Sequence, residues 1–252
     1  MNGNLFFIKK SKKACLLIHG LTSSTQEVEE LTNFLYKKNF TIIAPLLKGH
    51  NTKIQDLNKT KWQDWYWSVI EAHDKIKDYK KIFVIGISIG ATLALHLAKN
   101  KKISGLVLLA PAIFYNDWKI RFLPIIKNFI KIKKKNYRKY YPWRKVSYYD
   151  IYSEELIKNR IAYKKVGLSA LSSALSLIKV VKKEINKINC PTLLIHSKKD
   201  HTILPSSSSY IYDNLKVNDK RVVWLENSGH VISVDNEKKK VFQLTHNFIK
   251  NK

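Results

Sequence analysis

The sequence KKIFVIGISIGATLALHLAKN, residues 80–100, is the most informative part of this chain about its fold. Ile82 to Ile85 form a short apolar run that is typical of a buried strand, and the leucines at 93 and 97 recur at helical spacing. Between them lies Gly86-Ile87-Ser88-Ile89-Gly90, a G-x-S-x-G sequence. A serine at the apex of such a turn adopts a strained backbone conformation that lifts its hydroxyl above the edge of the sheet. We therefore predict a strand, a sharp turn at Ser88 and a helix.

The two glycines of this turn have a steric purpose. Gly86 and Gly90 lie two residues before and two residues after Ser88, where a tight strand-to-helix turn crowds both positions against neighbouring backbone. The five-residue pattern alone also fits an ordinary turn of small residues after a buried strand. An acid and a base that follow in the correct order would favour a nucleophile turn.

Other parts of the chain repeat this alternation of buried strand and helix. The run ACLLIH, residues 14–19, is continuously apolar and is followed by Gly20, as is typical of a buried parallel strand. Alternating strands and helices favour a mostly parallel sheet covered by helices on both faces, and we predict six or seven strands in one α/β domain over residues 1–252. Further strands are predicted at 41–47, 103–110, 191–197 and 221–226, and helices at 62–77, 168–187, 206–216 and from about 236.

One connection between strands is too long for a single crossover. About 80 residues separate Pro111 from the strand that begins at Pro191, and ordinary connections are far shorter. We predict a helical cap, inserted after the strand at 103–110 and extending over about 113–167. It should cover the carboxyl ends of the strands, where open α/β sheets bind ligands.

A base and an acid follow the later predicted strands. A serine hydroxyl becomes a good nucleophile when a base takes its proton and a carboxylate orients that base. We predict His230 as the base, because it lies in a turn directly after the strand at 221–226, and Asp200 as the acid, because it follows the strand at 191–197. The chain order Ser, Asp, His is the order that this architecture requires.

The sequence alone also offers another candidate for the acid and two further histidines for the pocket. Asp117 follows the preceding strand, but it lies within the predicted cap. His50 and His201 lie in predicted loops and remain candidates for the pocket.

The oxyanion that would develop during attack by a serine needs fixed N–H donors. One should be the main-chain N–H of Ile89, directly after the predicted nucleophile. The other should be that of Leu21, in the loop after the first long strand. Main-chain donors have no side-chain signature, so this prediction rests on position alone.

Composition limits the function in other ways. The N-terminus has only four consecutive apolar residues, Leu5 to Ile8, which are too few for the core of a signal peptide, so we expect a cytoplasmic protein. Cys15 and Cys190 should be free thiols. No Cys/His cluster has zinc spacing, so we predict no zinc site.

The net charge of +27 comes from 46 Lys and Arg against 19 Asp and Glu. The lysines are spread over the whole chain together with many Ile and Asn, as a bias toward AT-rich codons would produce, and we expect no nucleic-acid partner. Between Lys127 and Lys145, however, nine Lys and Arg alternate with Tyr137, Tyr140, Tyr141 and Trp143, without an acidic residue. This run fits either a solvated cap face or a cap that contacts an anionic lipid surface weakly. The sequence predicts no oligomeric state.

With these residues placed, the chain resembles the α/β-hydrolase superfamily, and within it the small bacterial carboxylesterases and monoacylglycerol lipases. The resemblance covers nearly the whole chain except the cap. Asn51 departs from it, since the family usually has a second glycine after Gly49-His50. The matching residues are LLIHGLTSS (16–24), PLLKGH (45–50), Trp62 with Asp64 and Trp65, VIGISIGA (84–91), PTLLIHSKKD (191–200) and NSGHVISVD (227–235).

The resemblance implies hydrolysis of carboxylic esters through an acyl-serine intermediate, without metal or organic cofactor. Short- to medium-chain acyl esters and monoacylglycerols are the expected substrates. A thioesterase or another α/β-hydrolase reaction with the same triad is an alternative, because the cap would define the pocket. A non-catalytic basic protein that binds a membrane or nucleic acid would explain the charge but not the ordered Ser, Asp and His.

Overall fold

A seven-stranded sheet organises the chain in this computed structural model, which describes residues 6–137, 139–140, 149–153, 157 and 162–252. The spatial order of its strands is β1-β3-β2-β4-β5-β8-β9; β1 is antiparallel to β3 and the other pairs are parallel. The predicted mostly parallel sheet of six or seven strands is therefore confirmed. The strands are β1 (Phe6–Ile8), β2 (Lys13–Ile18), β3 (Thr41–Ala44), β4 (Lys81–Ile87), β5 (Gly105–Leu109), β8 (Thr192–Ser197) and β9 (Lys220–Leu225), and a separate antiparallel ladder pairs β6 (Ile132–Lys134) with β7 (Lys165–Gly167).

The helices and strands follow the predicted alternation, with one local difference in a helix and one in a strand. A short helix forms directly after the loop at 48–52, where one apolar pair, Ile54 and Leu57, is too short a repeat to predict it. The strand β3 ends at Ala44, before the predicted end at Leu47, because Pro45 has no N–H to extend the ladder. The helices are α1 (Gln26–Lys37), α2 (Ile54–Lys59), α3 (Trp62–Asp74), α4 (Ile89–Asn100), α5 (Leu123–Phe129), α6 (Leu168–Lys182), α7 (Ser206–Asn214) and α8 (Lys238–Lys250), with 3-10 turns at Trp118–Phe122 and Ile185–Lys187.

Both faces of the sheet are buried, which explains why its strands are apolar runs and not alternating patterns. Successive residues on one strand enter opposite cores, as Leu16 and Leu17 of β2 do. The first core includes residues from α3, α4, α6 and α7, and the second includes residues from α1 and α8. The central strands are therefore fixed from both sides, and their carboxyl ends form a rigid edge.

The turn between β4 and α4 has the geometry that its glycines permit. Ser88 has φ 54° and ψ −119°, a left-handed conformation that is strained for a residue with a side chain. A Cβ at Gly86 would lie 2.6 Å from the Cα of Ala91, and one at Gly90 would lie 2.5 Å from the carbonyl oxygen of His19. The absence of both side chains allows α4 to pack against β2 and to begin directly at the serine.

The long insertion between β5 and β8 contains helices and, in addition, the β6–β7 ladder, which the sequence pattern did not predict. Its segment Tyr149–Ser153 returns to the main domain, where the carboxylate of Asp235 accepts hydrogen bonds from the N–H groups of Tyr152 and Ser153. Parts of the predicted cap (113–167) and of its basic run (127–145) lie outside the described residues, namely 138, 141–148, 154–156 and 158–161. Among the helices in the described ranges, none has the length and apolar character needed to cross a membrane.

We predict that Gly90→Ala destabilises the fold by about 3 kcal/mol or more, because the new methyl group overlaps main-chain atoms at the end of β2, which cannot move away independently. The matched control is Gly105→Ala, whose methyl group would have side-chain atoms of Phe83 and Phe248 as its three nearest neighbours, at 3.3 to 3.5 Å. Urea denaturation of both variants measures the free energy of unfolding. Equal losses in the two variants would contradict the steric argument.

Candidate active site

Ser88 lies at the junction of β4 and α4, at the carboxyl edge of the sheet. Its main-chain N–H donates to the carbonyl oxygen of Leu109 on the neighbouring strand, at 2.9 Å. The residue is 9% exposed, so its hydroxyl lies in a largely enclosed site. The strained backbone and this hydrogen bond fix the direction of the side chain.

His230 reaches Ser88 from the loop after β9. Its Nε2 lies 2.9 Å from the Oγ of Ser88, and its Nδ1 lies 2.7 Å from the Oδ2 of Asp200. The main-chain N–H of His230 donates to the carbonyl oxygen of Asp150, at 2.9 Å. A Cβ at Gly229 would lie 2.6 Å from that same oxygen, so the loop approaches the insertion as closely as it does only because residue 229 is glycine. The structure thus brings together three side chains that are far apart in sequence.

Asp200 follows β8, and its side chain is completely buried. Its Oδ1 accepts the N–H groups of Thr202 and Ile203, at 2.9 and 2.7 Å. Its Oδ2 accepts from the Nδ1 of His230 and also faces the Nε2 of His196, at 3.0 Å. Because a buried carboxylate is costly unless it is hydrogen-bonded, these four donors explain how the charge is tolerated.

The carboxylate and the imidazole shift one another's pKa values. Burial alone would raise the pKa of Asp200, but attraction to His230 and hydrogen bonds from His196 and His230 hold it well below its ordinary range. Burial alone would lower the pKa of His230, but the charge and hydrogen bond of Asp200, with the charges of Asp150 and Glu27, raise it above 6.5. The pair therefore favours an ionised carboxylate and a histidine that holds a proton readily.

The loop after β2 also passes close to Ser88. The N–H of Gly20 donates to the Oε2 of Glu27, at 2.6 Å, and the carbonyl oxygen of Gly20 accepts from the Nδ1 of His19, at 2.9 Å. A Cβ at Gly20 would lie 3.3 Å from the Cβ of Ser88, so this backbone passes directly beside the serine. Leu21 is the next residue of this loop.

Ile89 is the first residue of α4, and the first N–H groups of a helix have no partner within it. The main-chain N–H groups of Leu21 and Ile89 therefore belong to segments that meet at Ser88 from two sides. Both segments are held rigidly, the first by Glu27 and His19 and the second by α4.

The structure places the other sequence candidates in different surroundings. Asp117 accepts the N–H of Lys119 and pairs with Lys133 at 3.1 Å, so it caps the first turn of the insertion. His201 stacks on Tyr140 at 4.0 Å between ring centroids. Neither residue has a hydrogen bond to Ser88 or His230 among the described contacts.

His50 is buried against His19, with ring centroids 4.9 Å apart, and burial together with the charge of His19 lowers its pKa to about 3. It therefore remains neutral in the physiological range. The neighbouring Asn51 has a φ of 55°, and Gly49 has a φ of 79°. Asn tolerates the left-handed region better than most residues with a side chain, so Asn51 can adopt this turn without a glycine.

Three buried polar residues near the site carried no sequence signal of their own. His196 lies within an apolar strand, Asp150 lies in the insertion, and Glu27 lies in the first turn of α1. Each is identified only by its partners in space: Asp200 for His196, the loops at 201–202 and 230–231 for Asp150, and Gly20 for Glu27.

Comparison with known proteins extends these observations over most of the chain. Residues 9–237 match the family model Hydrolase_4, described as serine aminopeptidase, S33. A carboxylesterase from Bacillus subtilis (strain 168) is 28% identical over 247 residues, which cover 97% of this chain and 95% of that protein. A thermostable monoacylglycerol lipase from Bacillus sp. (strain H-257) is also 28% identical, over 249 residues that cover 96% and 92% of the two chains.

Solved structures share the fold. A chain from the work on LipS and LipT, two metagenome-derived lipolytic enzymes, superposes with a TM-score of 0.90 at 22% identity, covering 100% of this chain and 98% of that one. The monoacylglycerol lipase of Paleococcus ferrophilus superposes with a TM-score of 0.77 at 16% identity, covering 96% of both chains. At these identities the likeness concerns the fold alone.

We predict that the rate at which a fluorophosphonate labels Ser88 falls as the pH drops through a midpoint above 6.5. Only neutral His230 can accept the serine proton, and its raised pKa keeps the ring protonated to a higher pH than a free imidazole. Labelling is therefore complete and fast above that midpoint and is lost below it. Initial labelling rates, followed by in-gel fluorescence from about pH 5 to about pH 9, measure the midpoint; a value at or below 6.5 would refute the assignment.

Proposed function

Because the chain belongs to the Hydrolase_4 family of serine aminopeptidase S33 type, within the α/β hydrolases, we propose that it is a carboxylic ester hydrolase with Ser88 as nucleophile, His230 as base and Asp200 as orienting acid. One observation carries the proposal, namely the hydrogen-bonded chain from Asp200 Oδ2 through His230 to Ser88 Oγ, with distances of 2.7 and 2.9 Å. The shared architecture and the names of the two Bacillus relatives support it.

In the first half of the proposed reaction, the Oγ of Ser88 attacks the ester carbonyl carbon while His230 Nε2 takes its proton. The tetrahedral intermediate collapses as the imidazolium gives this proton to the leaving alcohol, which leaves an acyl-serine. Asp200 holds the ring through Nδ1 and stabilises the imidazolium that forms. In the second half, His230 activates a water molecule that releases the acid and restores Ser88.

The negative charge on the carbonyl oxygen needs donors that are already in place. We assign these to the main-chain N–H groups of Leu21 and Ile89, whose segments flank Ser88. One such donor contributes about 3 kcal/mol to stabilisation of the transition state. The hydrogen bonds of Gly20 to Glu27 and His19 support this assignment, because they restrict the segment that carries the Leu21 N–H.

We propose short- to medium-chain acyl esters or monoacylglycerols as the substrates. The support is the pair of relatives named carboxylesterase and monoacylglycerol lipase, each similar over more than nine-tenths of both chains. Nothing in these relatives favours a thioester or a carbon–carbon bond as the group that is cleaved.

We further propose that the insertion at about 113–167 is a cap, within a single domain over 1–252, and that it makes a weak contact with an anionic lipid surface. Its first helical turns expose a stripe of large apolar side chains, of which Trp118 is 64% and Phe129 is 83% exposed. Lysines adjoin this stripe, and no acidic residue occurs between Asp117 and Asp150. Apolar side chains with a basic border match a negatively charged interface. The remaining members of the stripe are Phe122, Ile125 and Ile130.

The test of the catalytic proposal is hydrolysis of a p-nitrophenyl ester by the wild type and by Ser88→Ala. We predict that the substitution lowers kcat/KM at least about ten-thousandfold, because the nucleophile itself is removed. Ser176→Ala is the matched control, since this exposed serine on α6 donates only to the carbonyl oxygen of Ser172. Equal rates for the wild type and Ser88→Ala would reject the proposal.

For the cap, we predict that the protein sediments with vesicles containing phosphatidylglycerol, because each lysine near the surface contributes about 1 kcal/mol of attraction. Salt screens this attraction, so binding should weaken steeply as the ionic strength rises. The double variant Trp118→Ser/Phe129→Ser should bind several-fold less, because it loses the apolar anchors. Trp67→Ser is the matched control, since Trp67 is 65% exposed on α3, outside the insertion. Binding that is absent, indifferent to salt, or reduced equally by the control would remove the idea.

A further inference from the structure

The acid of the triad faces two histidines. Asp200 Oδ2 lies 2.7 Å from the Nδ1 of His230 and 3.0 Å from the Nε2 of His196. The other ring nitrogen of His196, Nδ1, lies 2.8 Å from the Oγ of Ser208 on α7. A single hydrogen-bonded chain therefore runs from Ser208 through His196, Asp200 and His230 to Ser88.

The chemistry of the carboxylate determines how His196 is protonated. Asp200 is ionised and can only accept, so the Nε2 of His196 must carry a hydrogen and donate it. A neutral ring then has a lone pair on Nδ1, which can accept the hydroxyl hydrogen of Ser208. Asp200 thus fixes the tautomer of the ring, Ser208 helps to hold the plane of the ring, and His196 donates to the same carboxylate oxygen that orients His230.

The burial of His196 supports a specific task for this side chain. His196 and Ser208 are both 0% exposed, and His196 lies on β8 directly after the apolar residues Leu193 to Ile195. An apolar side chain could fill such a strand position without a polar group to satisfy. The imidazole supplies a fourth donor to a carboxylate that already accepts two main-chain N–H groups and His230.

We propose that His196 is a positioning residue of the active site, which holds Asp200 in the plane of His230 and limits the basicity of its Oδ2. This inference rests on the proposed Ser88–His230–Asp200 mechanism. Removal of the His196 donor would leave Asp200 less fixed, so that His230 is oriented less well and kcat falls. The Oδ2 of Asp200 would also lose one of its two donors, so its negative charge would interact more strongly with His230. The imidazolium is then stabilised, and the pKa of His230 rises.

Other ionisable groups around the pair stay constant in this comparison. The charges of Asp150 and Glu27 help to raise the pKa of His230, and the charge of Asp200 influences the pKa values of His201 and Tyr137. Asp150 accepts from the N–H of His201 and the hydroxyl of Thr202, so it is held by the loop that follows Asp200 and not by His196. A change confined to residue 196 therefore isolates the second donor.

The experiment compares His196→Phe, His196→Gln and Ser208→Ala with the wild type in p-nitrophenyl ester hydrolysis across pH. Phe keeps a ring but has no donor, so we expect kcat to be about tenfold lower and KM to be unchanged. In the plot of rate against pH, the midpoint of the fall at low pH (the low-pH limb) should move to higher pH. Gln can place an N–H close to the position of Nε2, and we expect most of kcat and the wild-type limb to return. Ser208→Ala should show a smaller change in the same direction as Phe. His73→Phe is the matched control, since His73 is a buried histidine on α3, and it should match the wild type.

The outcomes separate the two proposals. If Ser88→Ala hydrolyses the ester as fast as the wild type, the proposed function fails, and this inference fails with it. If hydrolysis depends on Ser88 but His196→Phe keeps the wild-type kcat and limb, or loses kcat without any movement of the limb, only the role of His196 is overturned. If circular dichroism shows that His196→Phe does not fold, Ser208→Ala decides, and an unchanged kcat and limb in that variant overturns the role.

Discussion

The buried carboxylate of Asp200 is the interaction on which the geometry of the site depends. A negative charge inside a protein is strongly unfavourable unless its oxygens are hydrogen-bonded, and here each oxygen has two donors. Two donors come from the turn after β8, one from within β8 and one from the loop after β9. Satisfying this one charge therefore fixes two loops relative to each other, and with them the imidazole that faces Ser88.

Two further aspartates, Asp150 and Asp235, link the insertion to the same loops. The carboxylate of Asp150 accepts from the hydroxyl of Thr202, and its main-chain carbonyl oxygen accepts from the N–H of His230. The carboxylate of Asp235 accepts from the N–H of Gly229, in the same loop as His230, and from the N–H groups of Tyr152 and Ser153 in the insertion. The return segment of the insertion is thus part of the framework of the site and is more than a cover. A change in the insertion can consequently reach His230 through main-chain hydrogen bonds, without contact between the cap and the serine.

The sharp turn at residues 86–90 was predictable from the sequence, because the steric demand for two glycines around a strained serine acts over only five residues. The parallel sheet was predictable for a similar reason, since each buried strand is a continuous apolar run bounded by turn residues. The short helix α2 and the β6–β7 ladder were not predictable, because a single apolar pair or a lysine-rich segment carries no sustained period that distinguishes it from a loop. His196 also escaped, because a single histidine within an apolar strand has no pattern until Asp200 is placed beside it.

The fold class, the strained turn at Ser88, and the order along the chain of a serine, an acid and a base at strand ends follow from the sequence alone. The hydrogen-bonding distances between these three side chains, the cap that Asp117 forms elsewhere, and the contact of a second histidine with the acid depend on the tertiary structure. The difference is one of range along the chain. Backbone sterics and hydrophobic period are local and can be read from neighbours in sequence, whereas hydrogen bonds between loops depend on the packing and register of the whole sheet.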